Sequence, residues 1–367
     1  MTRILIAGLK EPPGGVEAAV LAYTENFDNK IITDFVFICN EITFADRILN
    51  GNTIYLPNRV RHPILYRKKL KQIFKSNKYD ALWCNYSGLT NIDLLKTAKK
   101  HGVKTRIIHS HAAKYSWGNI IMKYLVPFFH NLNQKVVDKY ATDFWACSKK
   151  AATFMFGEKL AQKAVIIPNA IDTDKFDIDD NVRYEIRDEF GIDHNSTVIG
   201  HIGRMCREKN QRFVLDIFKE TQKIQNDAVL LFVGDGELRE DIFSYAKELG
   251  IEKNVVFTLT RTDIPKLLKA MDVFLITSLI ESFCIVLIEA QCANLPSVVS
   301  LEAIDKELNM TDSMKFLSLN ESSEVWAKTV LEAVNIKYEN GRFKIKDNGY
   351  DCKTEAKKLQ LFFQNDR

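Results

Sequence analysis

Two glutamates, Glu281 and Glu289, are separated by seven residues at a point where an apolar run gives way to a second periodic segment. The run ends near Ser278 and is typical of a buried strand, while residues 285–292 are typical of a helix packed on a sheet. Eight helical positions turn a side chain through about 800°, roughly 80° off alignment, so one helix would not place both carboxylates on one face. We therefore expect Glu281 in the loop and Glu289 on the helix, on either side of one bound molecule. Each carboxylate can accept hydrogen bonds from two hydroxyls, as a sugar or ribose presents them.

The start of this helix is a candidate anion site. A helix that begins at the carboxyl end of a parallel strand presents unpaired N–H groups and the positive end of its dipole. These N–H groups belong to Cys284, Ile285 and Val286. Two cations, Arg204 and Lys209, follow another predicted strand and are suited to the charge of a leaving diphosphate. Taken alone, two loop cations are more often solvated surface residues.

The elements that must hold these residues follow from the periodicity of the chain. Apolar strands alternate with amphipathic helices in two successive series, which predicts parallel sheets with right-handed crossovers. We predict an α/β protein with an N-terminal domain at 1–170, a C-terminal domain at 171–349 and a last helix at 350–367. In open sheets of this kind ligands bind at the carboxyl ends of the strands. We expect the two sets of strand ends to face each other across a cleft.

The composition bounds the class of protein. A chain of 367 residues, 46% of them apolar, is long enough for two domains. No run approaches the roughly 18 to 20 apolar residues that span a bilayer, and the N-terminal MTRILIAGL is predicted to be a strand rather than a signal sequence. Seven scattered cysteines indicate reduced thiols in a cytoplasmic protein. Because no CxxC or His-rich spacing is present, we expect no metal site.

Basic residues concentrate in the first half of the chain. Residues 1–167 carry 25 Lys and Arg against 12 Asp and Glu, a balance of +13, whereas the rest carries 26 against 35, or −9. The excess peaks in residues 59–78, which hold eight basic residues and no acidic one.

A solvated helix face would explain the 59–78 run about as well as a binding surface. Apolar residues at helical spacing separate its charges: Ile64, Leu65, Leu70, Ile73 and Phe74. This pattern favours a helix lying on an anionic membrane surface. Nucleic acid is disfavoured as a partner, because no recognition module or base-stacking pattern accompanies the run.

With its neighbours, the glutamate pair resembles the signature of glycosyltransferase family 4. Asp272-Val-Phe precedes Glu281-Ser-Phe-Cys, and Leu295-Pro296 follows Glu289. Five further motifs of that family occur in order: Gly14-Gly15-Val16-Glu17, His109-Ser110-His111, Ile167-Pro168-Asn169-Ala170-Ile171-Asp172, Gly203-Arg204 with Lys209-Asn210, and Val233-Gly234-Asp235-Gly236. The resemblance covers nearly the whole chain. It implies the GT-B fold, with two doubly wound Rossmann-like domains facing each other across a cleft, and retaining transfer of a sugar from a nucleotide-sugar.

The resemblance also implies roles for individual residues. The two loop cations would hold the diphosphate, Glu289 would bind the ribose, and Glu281 would contact the transferred sugar or steady charge at the reacting carbon. A histidine at the end of the strand TRIIHS would orient the donor sugar. We favour His111 over His109, at least one of the two being a structural residue. The remaining donor-binding residues that it implies are Gly15, Gly203, Gly234, Leu259, Thr260, Phe283, Cys284, Ile285 and Val286. The last helix would cross back to the first domain.

The chain departs from the family at positions that usually, or often, hold glycine. These positions carry Ser282, Cys284, Leu259 and Asn294. Side chains at 282 and 284 are expected to crowd the loop that binds the sugar, which leaves the identity of the donor open.

We predict a cytoplasmic glycosyltransferase that uses a UDP-sugar and no metal or other cofactor. The basic run and an aromatic segment from Trp117 to Phe129 motivate a glycan or lipid-linked glycan acceptor, as in capsule, exopolysaccharide or cell-wall synthesis, and a peripheral site on the membrane. Two alternatives stay open. One is a catalytically inactive sugar-nucleotide-binding partner, and the other is a UDP-sugar epimerase, which needs no acceptor.

Overall fold

The chain folds into two compact units. The structure, a computed structural model, describes residues 1–11, 13–39, 41–115 and 120–365. Unit 1 contains residues 1–171 and 351–367, and unit 2 contains residues 172–350. Each predicted boundary differs from these by one residue. Trp117, the first residue of the predicted aromatic segment, lies outside the described residues.

Unit 1 is built on a parallel sheet with the strand order β3-β2-β1-β4-β5-β6-β7. Its elements are β1 Thr2–Ala7, α1 Gly15–Thr24, β2 Ile31–Phe37, β3 Thr53–Tyr55, α2 Pro63–Ser76, β4 Ala81–Tyr86, α3 Asp93–Lys100, β5 Thr105–Ser110, α4 Ile120–Gln134, β6 Asp143–Ala146, α5 Lys149–Ala161, β7 Val165–Ile166 and, after unit 2, α13 Cys352–Gln364. The central strands are nearly continuous apolar runs because helices cover both faces of a parallel sheet.

Unit 2 repeats this plan with the strand order β10-β9-β8-β11-β12-β13, again all parallel. Its elements are α6 Asn181–Glu189, β8 Val198–Ile202, α7 Gln211–Ile224, β9 Val229–Val233, α8 Arg239–Leu249, β10 Val255–Leu259, α9 Ile264–Ala270, β11 Val273–Ile276, α10 Ile285–Cys292, β12 Ser297–Ser300, β13 Met314–Leu317, α11 Ser323–Val334 and α12 Gly341–Asp347. The prediction of two doubly wound α/β units is confirmed.

The last helix, α13, packs in unit 1. Asp351 caps it by accepting a hydrogen bond from the Thr354 N–H at 2.9 Å, and the Cys352 N–H donates to the Ile171 carbonyl at 2.8 Å. Its apolar face joins the core of unit 1 through Phe363. Unit 1 is therefore assembled from two stretches of the chain that lie on either side of unit 2 in sequence.

Only some of the apolar residues of the basic helix α2 face the core. Leu70, Ile73 and Phe74 are buried in unit 1, whereas Ile64 and Leu65 are 84% and 46% exposed. The expectation that all five residues face a membrane is therefore wrong for three of them. The pattern is explained by the packing that any amphipathic helix makes with its own sheet.

Candidate active site

Lys209 and Glu281 form the centre of the candidate site in unit 2. The Lys209 ammonium donates to Glu281 Oε1 at 2.6 Å, and the Ser278 hydroxyl donates to the same oxygen at 2.7 Å. The two charged side chains are only 20% and 10% exposed. Burial lowers the pKa of Lys209, but the attraction and hydrogen bond of Glu281, together with the effects of Cys284 and Cys206, outweigh burial and raise the pKa. Lys209, expected at the diphosphate, and Glu281, expected at the transferred sugar, thus form one ion pair.

Two loops hold this ion pair from opposite sides. Asn210 has a left-handed backbone, with φ of +53°, a conformation that asparagine tolerates better than most residues. Its Nδ2 donates to the Thr277 carbonyl at 3.1 Å, and Thr277 Oγ1 donates back to the Asn210 carbonyl at 3.1 Å. The Leu279 N–H donates to the Glu208 carbonyl at 2.8 Å. These bonds tie the loop after β8 to the loop after β11.

Glycines allow the strand ends of β8 and β9 to touch. Gly203 N–H donates to the Val233 carbonyl at 2.9 Å. Gly234 has a φ of +134°, and a Cβ there would lie 2.1 Å from the Gly203 carbonyl oxygen. A Cβ on Gly236 would lie 2.3 Å from the Met205 carbonyl oxygen. Gly234 and Gly236 are therefore required by backbone packing, whatever else this turn binds.

Arg204 is exposed beside a group of acidic side chains. Burial lowers its pKa, but a hydrogen bond with Cys206 and the attraction of Glu237 and Glu208 outweigh that effect and raise it. The ligand atoms of Cys206, Glu208 and Glu237 lie within 4.8 Å of one another, the one such set among the described residues. The neighbouring guanidinium accounts for this cluster, and we assign no metal to it. A diphosphate bound to Arg204 has to compete with these groups.

The N-terminus of α10 lies at the predicted place. The helix starts at Ile285 with Cys284 as its N-cap residue, and the first N–H groups of a helix have no partner inside it. Glu289 lies one turn further along and is partly buried. Burial raises the pKa of Glu289 to about 7, although Lys175 acts in the opposite direction. Near neutral pH this carboxyl is therefore only partly ionised.

Two of the departures from the family coincide with left-handed backbone. Leu259 has a φ of +57° and Asn294 a φ of +59°, which explains why glycine suits both positions. Asn294 Oδ1 accepts a hydrogen bond from the Gly341 N–H at 2.7 Å, so its side chain has a structural task. The Leu259 carbonyl accepts from Gly234 N–H at 2.8 Å. Thr260, predicted to contact the donor, is exposed next to it.

The loop before α10 is less crowded than expected. The Cys284 side chain is 2% exposed and packs in the core cluster that contains Leu287. The expectation that it crowds the sugar loop is therefore wrong, whereas Ser282 is exposed, as that expectation requires. The Phe283 ring stacks on Tyr350 with 6.0 Å between centroids and 14° between planes, which fixes the side of the loop opposite the core.

His109 is packed in the core of unit 1. It is 1% exposed, its ring is stacked on Trp83 at 6.0 Å and 13°, and Trp145 meets its face edge-on at 6.0 Å. Burial and the neighbouring His111 hold the pKa of His109 well below its usual range. These contacts give His109 the structural role that was predicted for one of the two histidines.

His111 is 4% exposed and held by two amides. Its Nε2 lies 2.9 Å from Asn85 Oδ1, and its Nδ1 lies 3.1 Å from the Asn169 side chain. Burial lowers the pKa of His111 to about 4, so at neutral pH the ring has one proton. Asn85 Nδ2 donates to the Ala7 carbonyl at 3.4 Å, which leaves Oδ1 to accept from His111 Nε2–H. The Asn169 amide group then donates to Nδ1, an orientation assigned from the network.

Sequence reasoning named Asn169 only as part of a motif and missed Asn85 altogether. The available signal was a polar residue near the end of the apolar strand ALWCNY. Glu17, like Asn169, was named only as part of a motif. This residue is 5% exposed, and its carboxylate accepts from the N–H groups of Lys10 and Gly14, both at 2.8 Å. Glu17 therefore shapes the loop that leads to Gly15, the exposed first residue of α1.

A cavity of about 600 Å³ opens in unit 1 at the carboxyl ends of its strands. Apolar side chains and hydroxyl and amide groups line it, among them Leu9, Glu11, Tyr66, Asn85, Tyr86 and Asn91. The volume is in the range of small-molecule sites. Asn85 thus connects this cavity to the ring of His111.

Two all-parallel sheets with polar groups at their carboxyl ends, and a buried ion pair near a helix N-terminus, define a doubly wound α/β protein built to bind an anionic ligand. Residues 182–351 match the family described as glycosyl transferases group 1. They form a group 1 glycosyltransferase domain, and the chain is a glycosyltransferase, which confirms the predicted enzyme class.

Relatives and solved structures agree with this assignment. EpsF of Bacillus subtilis (strain 168), assigned as a glycosyltransferase, is 28% identical over 335 residues, covering 87% of this chain and 84% of EpsF. The UDP-Gal:alpha-D-GlcNAc-diphosphoundecaprenol alpha-1,3-galactosyltransferase of Escherichia coli is 29% identical over 319 residues, covering 82% and 80%. Anabaena Alr3699/HepE, crystallised with UDP and glucose, aligns with a TM-score of 0.77 over 99% of both chains at 17% identity. The predicted GT-B fold is confirmed.

Proposed function

We propose that this enzyme transfers a sugar from a UDP-sugar to a lipid-linked glycan with retention of configuration, in capsule, exopolysaccharide or cell-wall synthesis. The observation that carries the proposal is the Lys209–Glu281 pair, held between two strand ends of the domain that contains the α10 N-terminus. A cation and helix N–H groups suit a diphosphate, and a carboxylate suits sugar hydroxyls. The likeness to a galactosyltransferase named for UDP-Gal and a diphosphoundecaprenol acceptor supports the choice of donor and acceptor.

The chemistry proposed is a same-face substitution at the anomeric carbon. The bond from this carbon to the β-phosphate oxygen breaks, and a bond to the acceptor oxygen forms. The acceptor proton passes to the leaving phosphate. Arg204, Lys209 and the α10 N–H groups stabilise the charge that develops on the diphosphate, while Glu281 faces the sugar and Glu289 the ribose. Because protein groups supply this stabilisation, we expect turnover to persist in excess EDTA.

We assign the acceptor to the cavity of unit 1. Its mixture of tyrosine hydroxyls, asparagine amides and apolar side chains is suited to the two faces of a sugar ring. His111, fixed by Asn85 at the edge of this cavity, is neutral and held in one tautomer. We propose that it orients the donor sugar through this fixed geometry and not by proton transfer, since a pKa of about 4 makes it a weak base.

A lipid-linked acceptor requires access to a membrane. On α2, an open groove is lined by the apolar Ile64 and by basic and polar side chains, namely Arg67, Lys68, Lys71, Gln72 and Lys75. On α4, also in unit 1, large apolar side chains are exposed: Tyr124, Leu125, Phe128, Phe129 and Leu132. No helix in the described part of the chain is long and apolar enough to cross a membrane. We propose that unit 1 binds the anionic cytoplasmic leaflet peripherally through these two surfaces.

A donor screen tests the reaction. Purified enzyme is incubated with UDP-glucose, UDP-galactose, UDP-N-acetylglucosamine or GDP-mannose and a membrane extract as acceptor, and nucleotide release is measured. We expect release from one UDP-sugar, lost in Glu281→Ala and in Lys209→Met but kept in Lys223→Met, which removes an exposed lysine on α7. Nucleotide binding without release from any donor would support the inactive-partner alternative. Sugar interconversion without acceptor would support an epimerase.

Vesicle sedimentation tests the membrane surface. We expect binding to vesicles that contain phosphatidylglycerol and little binding to neutral phosphatidylcholine. The triple variant K68E/K71E/K75E should lose this preference, whereas K337E/K344E/K346E, an equal charge change on exposed lysines of unit 2, should keep it. Equal sedimentation with both lipids would contradict the proposal.

A further inference from the structure

His201 lies where β8 and β11 separate in the middle of the unit 2 sheet. The chain order of the strands reverses at this point, where ligands of open α/β sheets bind. Direct pairing of the two strands ends at Gly200 and Phe274. Beyond it, the His201 ring, 0% exposed, lies between them with Nδ1 2.9 Å from the Leu275 carbonyl oxygen.

These contacts fix the proton of the imidazole. A carbonyl oxygen only accepts, so Nδ1 must carry the hydrogen and Nε2 the lone pair. Burial lowers the pKa of His201 to about 4; the bond to Leu275 opposes this effect and the charge of Lys209 adds to it. The ring is therefore neutral. Among the described residues, Nε2 has no hydrogen-bond partner although it is buried, and such an unpaired acceptor in a protein interior calls for an explanation.

Lys209 is a donor whose charge acts on this imidazole and whose side chain passes close to the lone pair. A Cβ placed on Gly203 would lie 3.6 Å from His201 Nε2 and 3.5 Å from both Cδ and Cε of Lys209. The imidazole nitrogen and the lysine stem thus lie over the same glycine. The Lys209 ammonium has three donors, and one of them goes to Glu281.

We propose that His201 is a positioning residue for Lys209, an inference that rests on the proposed function. When the diphosphate of the donor binds, Lys209 gives up the Glu281 carboxylate and donates to His201 Nε2 instead. Its other two N–H groups are then directed to the diphosphate. The imidazole thereby replaces the carboxylate as the anchor of the cation, and it does so without a negative charge that would repel the phosphates.

Binding of UDP tests this role without relying on turnover. Calorimetry would compare wild type with His201→Asn, which keeps a donor for Leu275 and lacks an acceptor at the Nε2 position, and with His201→Gln, which can restore that acceptor. His201→Asn is also made in a Lys209→Met background. We expect His201→Asn to weaken UDP binding about tenfold, His201→Gln to restore most of it, and His201→Asn to have under about a twofold effect without Lys209. Melting temperatures of all variants separate folding from binding.

The outcomes distinguish this inference from the proposed function. Wild type that binds UDP but transfers no sugar overturns the proposed transfer and leaves the His201 comparison readable. An equal loss with and without Lys209, or no loss, overturns the positioning role. If His201→Asn does not fold, the ¹⁵N chemical shift of His201 Nε2 in the wild type is measured instead. We expect this shift to change on addition of UDP, because Nε2 gains a hydrogen bond. An unchanged shift would contradict the positioning role. Wild type that binds no UDP overturns both.

Discussion

The Glu289 carboxylate lies on α10, a helix with most of its side chains buried. Burial raises its pKa to about 7 from an ordinary value of 4.5. The folded protein therefore holds a proton on Glu289 that the unfolded chain releases between these values. Folding stability consequently falls as pH rises through this range. The same ionisation that weakens the fold provides the carboxylate that we propose binds the ribose of the donor.

Glu289→Gln should separate these two effects. At pH 8 we expect the variant to be more stable than wild type by about 2 kcal/mol, after a discount for the partial exposure of the side chain. At pH 5 the difference should be much smaller, because pH 5 lies near the lower end of the range in which the folded and unfolded states differ in protonation. In the wild type the KM for the donor should fall as pH rises through about 7, and in the variant it should be high and insensitive to pH. Thermal melts and initial rates at both pH values measure this, and an equal stability difference at pH 5 and pH 8 would contradict the assignment.

Residue roles were only partly accessible from the sequence. The type and spacing of Lys209 and Glu281 predicted a charged site, but their direct pairing depends on bonds such as that between Asn210 and Thr277, which join distant loops. His109 lies on β5 and His111 follows the last residue of that strand, and the centroids of their rings lie 4.0 Å apart. A histidine packed in the core differs from one at the edge of a cavity only in the residues that surround it. The sequence does not show which residues these are.

At the scale of elements, one carboxylate joins α6 to the sheet of unit 2. Asp272 accepts from Arg183 at 2.5 Å, from Arg187 at 2.8 Å and from the Val198 N–H at 2.7 Å. Arg187 is 0% exposed, and burial lowers its pKa. Removing its partner leaves a buried charge without compensation, which is far more costly than losing a surface ion pair.

We therefore expect Asp272→Ala to destabilise the protein by about 3–5 kcal/mol. Its control is Asp180→Ala, which removes a 90% exposed carboxylate paired with Lys269 and should leave stability unchanged. Urea denaturation measures both variants. A loss for Asp272→Ala no larger than for its control would show that Arg187 finds other partners.

Contact between α10 and α12 depends on the lack of a side chain at Gly341. A Cβ there would lie 2.0 Å from the Gln291 carbonyl oxygen and 2.7 Å from Asn294 Oδ1. We expect Gly341→Ala to cost about 1–3 kcal/mol because the helices must move apart. Gly88→Ala is the matched control, since its Cβ meets only His130 at an ordinary 3.7 Å. Equal melting temperatures for the two variants would contradict this account.

Elements with a strong hydrophobic pattern could be predicted from the sequence, and the shortest strands could not. Apolar runs such as ILIAGL and the periodicity of residues 211–224 are strong signals, because a buried strand or a core-facing helix requires them. The strands β3 and β7 have three and two residues, and β7 is exposed, so neither has a hydrophobic pattern to detect. Their pairing is decided by the neighbouring strand.

At the scale of the whole molecule, α13 closes the core of unit 1. The Phe363 ring lies 6.0 Å from Trp83 and 5.9 Å from Trp145 between centroids. We expect Phe363→Ala to cost about 3–5 kcal/mol. Leu361→Ala, on the same helix but 60% exposed, should change stability by less than about 0.5 kcal/mol.

Tryptophan fluorescence and unit 2 activity allow the Phe363 effect to be located. In a Trp326→Phe background, which removes the buried tryptophan of unit 2, Trp83 and Trp145 report on unit 1, while the proposed binding of UDP reports on the fold of unit 2. We expect Phe363→Ala to lower the stability of unit 1 measured by tryptophan fluorescence while UDP binding is retained. Simultaneous loss of both would show that the units do not unfold separately.

The sequence also indicated the two units and the residue at which the chain leaves each of them, since the periodicity of strands and helices restarts after the linker. The return of α13 to unit 1 followed only from the resemblance to a family. An amphipathic helix at the end of a chain has an apolar face, but the sequence does not show which core that face covers. The core is determined by side chains such as Trp83 and Phe27, which are more than 250 positions away in the chain.

The split of unit 1 has a consequence for synthesis on the ribosome. Residues 172–350 are translated as one continuous stretch, so unit 2 can fold as soon as they leave the exit tunnel, although it is the second unit in order. Unit 1 emerges first but lacks the helix that covers Trp83 and Trp145 until residues 352–364 appear. Nascent unit 1 must therefore wait with apolar surface exposed, which is the state that chaperones recognise. Contrary to the usual order, the second unit made is the first that can be completed.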